Sequence, residues 1–458
     1  MKNVLFVLKK VFYGTYFRGF VSSYMAAVIV GASLLKLPIS VQKGVNLSWV
    51  DALFVSASGL STTGLTPIVV KDTFTIFGQT VLAFILQFGG IGLIMMVALF
   101  WLVVRKKIGF KERNMMMTDQ NQPTRQGIVR FVRNVLIVIF TVEAVAFMIM
   151  SGYLYLSGYF PFKEALFHSF FTTISLFTNA GFDIAPTADS FAMFSNDYFM
   201  QTLAMTLMFM GAVGFWPLAE LKEFIFAKFR RESFQFSFFV KMLVTLHLAV
   251  WILSAIILFA LERGAFLEGY GFIESVYYSL FMSLTTRNAG FSTMNVEDFT
   301  VSTHIFFIFL MFLGSSPNSA GGGIRTTTLF VVLLAMRAFA FDRNQVVTRE
   351  RSVKQETVHK SFIAIFVAGG LIVVNLFLLT LLEPALPPMI LAFEVVSAFG
   401  TTGLSLGATT EIAWAAKLVL VITMFIGRVG VIALVLMFRP GRKTKGYVQY
   451  PETDIIVG

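Results

Sequence analysis

Ser61-Thr62-Thr63-Gly64-Leu65 is the first of four short segments that decide the fold of this chain. The other three share its small–small–Gly–apolar pattern and read Thr178-Asn179-Ala180-Gly181-Phe182, Arg287-Asn288-Ala289-Gly290-Phe291 and Gly400-Thr401-Thr402-Gly403-Leu404. The glycines are separated by 117, 109 and 113 residues, and a spacing this regular indicates an internal repeat. We call these segments glycine loops 1 to 4. They predict four units, which cover residues 1–110, 111–228, 229–345 and 346–458.

The composition places the chain in a membrane. Hydrophobic residues make up 57% of the 458 residues, charged residues only 13%, and the mean hydropathy is +0.78. Soluble domains carry roughly 25% charged residues. Too few polar side chains are present here to cover a soluble globule of this size. The absence of cysteine excludes disulfides, thiolate metal sites and cysteine nucleophiles.

Each predicted unit contains two long apolar helices with a shorter helix between them. The long helices are predicted at residues 22–37, 75–104, 131–156, 199–226, 239–261, 303–341, 362–382 and 413–438. The short helices, each of which ends at a glycine loop, are predicted at residues 49–60, 163–177, 272–285 and 388–399. A membrane span needs about 20 apolar residues, so each short helix must enter and leave the membrane on the same side.

Irregular backbone at membrane depth is tolerated only where it is buried in protein or lines water, and a re-entrant pore loop meets that condition. The predicted fold class is therefore an all-α polytopic membrane protein of four helix–re-entrant pore loop–helix repeats. It has eight transmembrane helices and four pore helices around one central pore.

The glycine loops are candidates for a cation selectivity filter. Glycine accepts positive φ without a steric penalty, and its small neighbours allow four loops to meet. Rings of backbone carbonyls can then replace the hydration shell of an alkali cation. The candidate residues are Thr62, Thr63, Gly64, Asn179, Ala180, Gly181, Asn288, Ala289, Gly290, Thr401, Thr402 and Gly403. The alternative is that each glycine only ends a short helix, but four copies in phase favour the filter.

Charge placement predicts the topology. Most of the 36 basic residues lie between the units or at the two termini, so these segments and both termini are predicted to be cytoplasmic. The opposite side carries mainly acidic residues, which would concentrate cations outside the pore. The net charge of +11 is therefore assigned to orientation and lipid contact, not to nucleic-acid binding. The N-terminal basic stretch is interpreted as the lead-in to an uncleaved first span.

A second irregular segment interrupts the last long helix of the third unit. We name residues 314–323 the gate segment, which reads Gly314, Ser315, Ser316, Pro317, Asn318, Ser319, Ala320, Gly321, Gly322 and Gly323. Its glycine, serine and proline content is incompatible with a regular helix. Its position after glycine loop 3 predicts that it lies beneath the filter and obstructs the path. The alternative is a simple Pro–Gly kink in a packed helix.

Three arginines in the apolar blocks are candidate functional residues, because charge at membrane depth is costly. Arg428 is predicted to face the pore below the filter and to hold the gate segment through its carbonyls; the alternative is a buried ion pair with Glu143. Arg287 is predicted to pair with a carboxylate such as Glu394 and so to brace glycine loop 3; the alternative is contact with the ion. Arg325 either anchors the gate segment or extends toward the cytoplasm, and the sequence leaves this open.

These residues resemble the Trk/Ktr/HKT superfamily of potassium transporters over essentially the whole chain, and look most similar to the membrane subunit of bacterial Ktr systems. Besides the glycine loops and the gate segment, the resemblance rests on Phe88-Gly89-Gly90-Ile91-Gly92 and Phe425-Ile426-Gly427-Arg428-Val429-Gly430. Glycine at all four filter positions goes with potassium preference in this superfamily. Pro317-Asn318 departs from the small residues found there in many relatives.

The resemblance implies a potassium-translocating subunit of the cell membrane that forms a homodimer. It also implies a cytosolic ring of RCK-type regulatory subunits that moves the gate segment and binds ATP or ADP, so that no nucleotide binds this chain. The transported potassium ion would be the only ion held at the filter carbonyls, with no transition metal. The alternatives are a secondary cation transporter coupled to Na⁺ or H⁺ and, with no supporting motif, a polytopic membrane enzyme.

Overall fold

The computed structural model describes residues 16–104, 109, 113, 116–117, 127–185, 191–348 and 351–437. Both predicted cytoplasmic termini, and most of the basic segment between the first two units, lie outside the described residues. The helices, in chain order, are α1 (Tyr16–Leu35), α2 (Trp49–Ser61), α3 (Val70–Thr73), α4 (Ile76–Ile91), α5 (Leu93–Val103), α6 (Ile128–Leu156), α7 (Phe162–Phe177), α8 (Tyr198–Val213), α9 (Phe215–Phe229), α10 (Phe238–Glu262), α11 (Phe272–Thr285), α12 (Val301–Phe312), α13 (Thr326–Ala340), α14 (Gln355–Leu382), α15 (Pro388–Gly400), α16 (Ala408–Glu411), α17 (Trp414–Val429) and α18 (Val431–Met437).

Two short strands, β1 (Val347–Thr348) and β2 (Arg351–Ser352), pair antiparallel between α13 and α14. Short 3₁₀ turns occupy Ala192–Phe194 and Val296–Asp298. The described part of the chain is therefore mostly helical, as predicted.

The four short helices α2, α7, α11 and α15 begin and end within one residue of their predicted bounds. Asp51, Glu164 and Glu274 lie in the first turns of the first three, where a carboxylate complements the positive end of the helix dipole. Pro388 occupies the first turn of α15, where its missing N–H has no helical partner to lose. The predicted bounds of the four short helices are confirmed.

The second long helix of every unit is broken; the break in the third unit is the predicted one at the gate segment, whereas the breaks in the other three units correct the prediction of continuous helices. The axis bends by 99° between α4 and α5 and by 107° between α8 and α9. The linking residues Gly92, Gly214 and Gly430 have φ of 98°, 105° and 90°, a conformation that an L side chain rarely adopts. In the third unit the non-helical gate segment itself separates α12 from α13. A Gly-x-x-Gly pattern ending at each linking glycine is the sequence signal for these breaks.

The short helices α2, α7 and α15 pack against both long helices of their own unit, α11 packs against α10, and each of the four also packs against one helix of the preceding unit. Helix α4 of the first unit contacts α7 of the second, α8 contacts α11, α12 contacts α15, and α17 of the last unit contacts α2 of the first. The contacts therefore close on themselves, so the four short helices are enclosed by a ring of neighbours.

By length and composition, three helices in the described part of the chain can cross a membrane, namely α6, α10 and α14. The number rises to five if each bent pair, α4 with α5 and α8 with α9, forms one span. The eight predicted spans stay a prediction.

Candidate functional site

The four glycine loops meet at one place although they are far apart in sequence. A Cβ atom added to Gly64 would lie 2.8 Å from the carbonyl oxygen of Ala180, the residue before the next glycine. The same relationship joins Gly181 to Ala289, Gly290 to Thr402, and Gly403 to Thr63. The loops therefore form a closed ring, in which each glycine backbone abuts a carbonyl of its neighbour.

Only glycine fits at these four positions. The φ angles of Gly64, Gly181, Gly290 and Gly403 are 99°, 68°, 74° and 94°. These values lie in the region that side chains disfavour, and a side chain would also collide with the next loop. The alternative that each glycine merely ends a helix does not explain why each also packs against the next.

A cavity of about 380 Å³ is bordered by all four glycines. Its charged lining residues are Lys71, Asp183 and Glu297. The Asp183 carboxylate accepts hydrogen bonds from the backbone N–H groups of Ile184 and Ala185, at 2.7 and 3.0 Å. Burial nevertheless raises the pKa of Asp183 to about 7, because removal from water penalises the charged form.

Hydroxyl groups inside the short helices hold the glycine loops in place. Ser58 Oγ accepts a hydrogen bond from Gly64 N at 3.1 Å, and Ser397 Oγ accepts one from Gly403 N at 3.1 Å. In the other two units Ser175 bonds both backbone groups of Phe182, and Thr285 donates to the Phe291 carbonyl. Sequence reasoning missed these residues. Their signal is a hydroxyl placed six residues before the glycine in three units and five before it in the third.

Glycine loop 3 has a different backbone from the other three. Thr62, Asn179 and Thr401, each two residues before its glycine, adopt left-handed φ of 55°, 52° and 51°. Asn288, at the same offset in loop 3, does not. Instead, Ala289 N donates to the Thr285 carbonyl at 2.9 Å, which continues the helical turn.

The register of the buried phenylalanines explains this difference. Phe54, Phe171 and Phe393 are fully buried and lie ten residues before their glycines. Phe281, the fully buried counterpart in the third unit, lies nine residues before Gly290. Loop 3 is therefore one residue shorter, and the residue it lacks is the left-handed one.

The gate segment is non-helical, as predicted, and it lies against the glycine loops. Thr62 Oγ1 donates to the Ala320 carbonyl at 2.7 Å, and Gly322 N donates to Thr401 Oγ1 at 2.7 Å. On its other side, the Asn318 carbonyl accepts from Phe215 N at 2.7 Å, at the break between α8 and α9. Pro317-Asn318 therefore lies at a helix break of the second unit.

The guanidinium groups of Arg428 and Arg325 hold the gate segment near its C-terminal end. Arg428 donates to the carbonyls of Ala320 and Gly89, and to the Gly90 carbonyl at 3.2 Å. Arg325 donates to the Gly321 carbonyl at 2.5 Å, so it anchors the segment, one of the two possibilities that the sequence left open.

The alternative pairing of Arg428 with Glu143 is not the one observed. Both carboxylate oxygens of Glu143 accept hydrogen bonds from the Gln87 amide, at 2.9 and 2.8 Å. This buried glutamate is therefore satisfied by a neutral partner on α4.

The predicted Arg287–Glu394 pair is wrong. Arg287 is fully buried, and its guanidinium donates to the His247 carbonyl at 3.3 Å and to the Gly314 carbonyl at 3.5 Å, with His247 Nδ1 at 3.2 Å. Glu394 instead accepts bonds from its own unit, from Ser405, Leu406 N and Thr409. Arg287 thus links loop 3 to the first residue of the gate segment, and Glu394 braces loop 4.

Comparison with known proteins gives concordant results. The model of the family described as "TrkH: Cation transport protein" matches residues 18–447. Ktr system potassium uptake protein D of Bacillus subtilis (strain 168) is 40% identical over 436 residues, with 95% of each chain covered. Ktr system potassium uptake protein B of the same organism is 32% identical over 437 residues, again with 95% of each chain covered.

A solved structure also resembles this chain. The crystal structure of the potassium transporter TrkH from Vibrio parahaemolyticus superposes with a TM-score of 0.69 at 18% sequence identity. The match covers 92% of this chain and 85% of the TrkH chain. At this identity the likeness shows the fold.

Proposed function

This chain belongs to the TrkH family of cation transport proteins, as a Ktr-type membrane subunit for potassium uptake, and we propose that its ring of four glycine loops is the potassium selectivity filter. The observation that carries the proposal is the closed contact of Gly64, Gly181, Gly290 and Gly403 around one cavity. Backbone carbonyls that precede these glycines would replace the water around a potassium ion. Each loop offers few consecutive carbonyls, so fewer ion sites are expected than in a long channel filter.

The orientation of the chain is part of the proposal. The four short helices are pore helices that re-enter the membrane, the broken helix pairs complete the eight spans, and both termini are cytoplasmic. The C-terminal ends of the pore helices carry partial negative charge toward the ring, which favours a cation there. The cavity lined by Asp183 and Glu297 is the outer entrance, where their carboxylates raise the local cation concentration.

The gate segment is proposed to block the path below the filter in the state described here. Thr62, Thr401, Arg428 and Arg325 all bond to it. A typical hydrogen bond contributes about 1 kcal/mol net, and one to a charged group somewhat more. Several bonds of this kind therefore stabilise the closed position of the gate segment.

The relatives bear the name of a Ktr system, which is consistent with an additional regulatory subunit. We propose that a cytosolic ring of RCK-type subunits binds ATP or ADP and moves the gate segment, and that two copies of this chain form the dimer on which the ring docks. Nucleotide would then act through the partner and not through a site on this chain.

Ion flux into liposomes tests the proposal. Purified protein is expected to pass potassium in preference to sodium, and the cytosolic partner is expected to make this flux depend on ATP or ADP. Equal flux of both ions would contradict a potassium filter. A potassium flux that does not change when the partner and nucleotide are added would contradict the proposed gate. It would not contradict the proposed filter.

A further inference from the structure

Two adjoining cavities beside α6 have no role in the proposed ion transport. The first is an apolar groove of about 690 Å³ between α5 and α6, lined by Leu99 and Leu102 and by one face of α6. The second is a basic pocket of about 550 Å³ between α6 and α9. Arg133 lines both cavities, so the groove and the basic pocket adjoin at this residue.

The groove follows one face of α6 over a length that suits a hydrocarbon chain. Along α6 its lining residues recur every three to four positions from Arg133 to Met148, which is one continuous helix face. Fifteen residues of helix extend about 22 Å. One leaflet of the bilayer core is about 15 Å thick, half of the roughly 30 Å total, so the groove is long enough for one acyl chain.

The basic pocket carries an excess of positive charge. Its charged lining residues are Arg130, Arg133, Lys222, Arg230, Glu223 and Glu232. In the described part of the chain the ion pairs are Lys360–Glu356 and Lys417–Asp51, so none of these four basic side chains is in one. Lys222 is held in place by a neutral group instead, since its Nζ donates to Asn134 Oδ1 at 2.9 Å.

We propose that these cavities form one binding site for an anionic phospholipid, with the phosphate among Arg133, Lys222 and Arg230 and one acyl chain in the groove along α6. The basic pocket lies at one end of the apolar groove, just as the charged headgroup of a phospholipid lies at one end of its acyl chains. On the topology proposed above, the N-terminal end of α6 is cytoplasmic, so the lipid belongs to the inner leaflet. Basic residues near an anionic membrane surface are attracted to its headgroups.

Native mass spectrometry of the purified full-length protein tests the headgroup half of the site. Phosphatidylglycerol and phosphatidylcholine with identical acyl chains are the probes. The wild type is expected to retain phosphatidylglycerol preferentially, and Arg133→Gln is expected to bind it about fivefold more weakly, the equivalent of about 1 kcal/mol. Lys228→Gln is the matched control, because Lys228 is on α9 but does not line the pocket. If Arg133→Gln does not fold, Lys222→Gln replaces it.

A bulky substitution in the groove tests the proposed acyl-chain site. Ala144→Trp places an indole inside the groove and is expected to weaken phosphatidylglycerol binding severalfold. Ile149→Trp is the control, because Ile149 is exposed on α6 but does not line the groove. Glycerol phosphate, which has the headgroup chemistry without acyl chains, is expected to compete poorly.

Five results would each overturn the proposal. Equal retention of the two lipids would identify ordinary annular lipid, and unchanged binding in Arg133→Gln and Lys222→Gln would remove the phosphate site. Unchanged binding in Ala144→Trp, or efficient competition by glycerol phosphate, would indicate a site for soluble phosphate. Loss of the cytosolic partner's binding in Arg133→Gln, with lipid binding intact, would assign the surface to that protein.

Discussion

Thr62 Oγ1 donates a 2.7 Å hydrogen bond to the carbonyl oxygen of Ala320, so glycine loop 1 is bonded directly to the gate segment. The two residues are 258 positions apart in the chain. The same carbonyl also accepts a bond from Arg428. The Ala320 carbonyl therefore joins the candidate filter, the candidate gate and the last long helix pair at one atom.

Thr62→Val is expected to raise potassium flux measured without the cytosolic partner about fivefold. The substitution keeps the shape of the side chain but removes a bond of about 1 kcal/mol that favours the closed gate segment. Thr62→Ser is the control, because it retains the hydroxyl. Flux into liposomes is the measurement. Equal flux in Thr62→Val and wild type would show that this bond does not stabilise the closed gate segment.

Gly290→Asp is expected to abolish potassium uptake or its preference over sodium. Aspartate would be strained at φ 74° and would collide with the Thr402 carbonyl, and it would add a carboxylate to the ring. Gly158→Asp is a closely matched control, because Gly158 also has φ 74° but has nothing within 4 Å of its Cβ position. Unchanged selectivity in Gly290→Asp would refute the filter assignment.

Deletion of residues 316–320 is expected to raise potassium flux and to make it independent of nucleotide. The deletion removes the Ala320 and Asn318 carbonyls, which receive bonds from Thr62, Arg428 and Phe215. Arg428→Gln is expected to change flux in the same direction but by less, because the Thr62 bond remains. Flux at or below the wild-type level in the deletion variant, with the protein folded, would count against a gate.

Arg287 and His247 are expected to be energetically coupled, whereas Arg287 and Glu394 are expected to be independent. Hydrogen bonds to charged groups contribute about 1.5–3 kcal/mol, so Arg287→Gln should lower the unfolding temperature measurably. A double-mutant cycle with His247→Phe should give a coupling energy of at least about 0.5 kcal/mol, and a cycle with Glu394→Gln should be additive. Coupling between Arg287 and Glu394, with additivity between Arg287 and His247, would instead support the Arg287–Glu394 pair that the sequence predicted.

External acid is expected to weaken potassium uptake as the pH falls through about 7. Because burial raises the pKa of Asp183 to about 7, its carboxylate is charged above that pH and neutral below it. Loss of this negative charge beside the glycine ring lowers the local cation concentration. Asp183→Asn should remove the pH step in the apparent potassium affinity, while Glu297→Gln should retain it. A step that persists in Asp183→Asn would assign it to another group.

Local chemistry made a large part of this protein readable from its sequence. The bounds of the four short helices follow from apolar runs that begin at an acidic residue or a proline and end at a small residue with glycine. The gate segment is non-helical because glycine, serine and proline disfavour a helix in any context. The shorter loop 3 was also readable, since the spacing from the buried phenylalanine to the glycine is nine residues there and ten elsewhere.

Tertiary structure decided which groups the buried Arg287 and Glu394 side chains bind. The sequence offers Arg287 several carboxylates, but only the folded chain brings it to His247 and Gly314 and gives Glu394 to Ser405 and Thr409. It also decided the cyclic order in which each glycine loop abuts the next, and the sharp helix breaks. The physical reason is that local propensity acts over a few residues, whereas the ring and the gate segment depend on contacts between backbones more than one hundred residues apart.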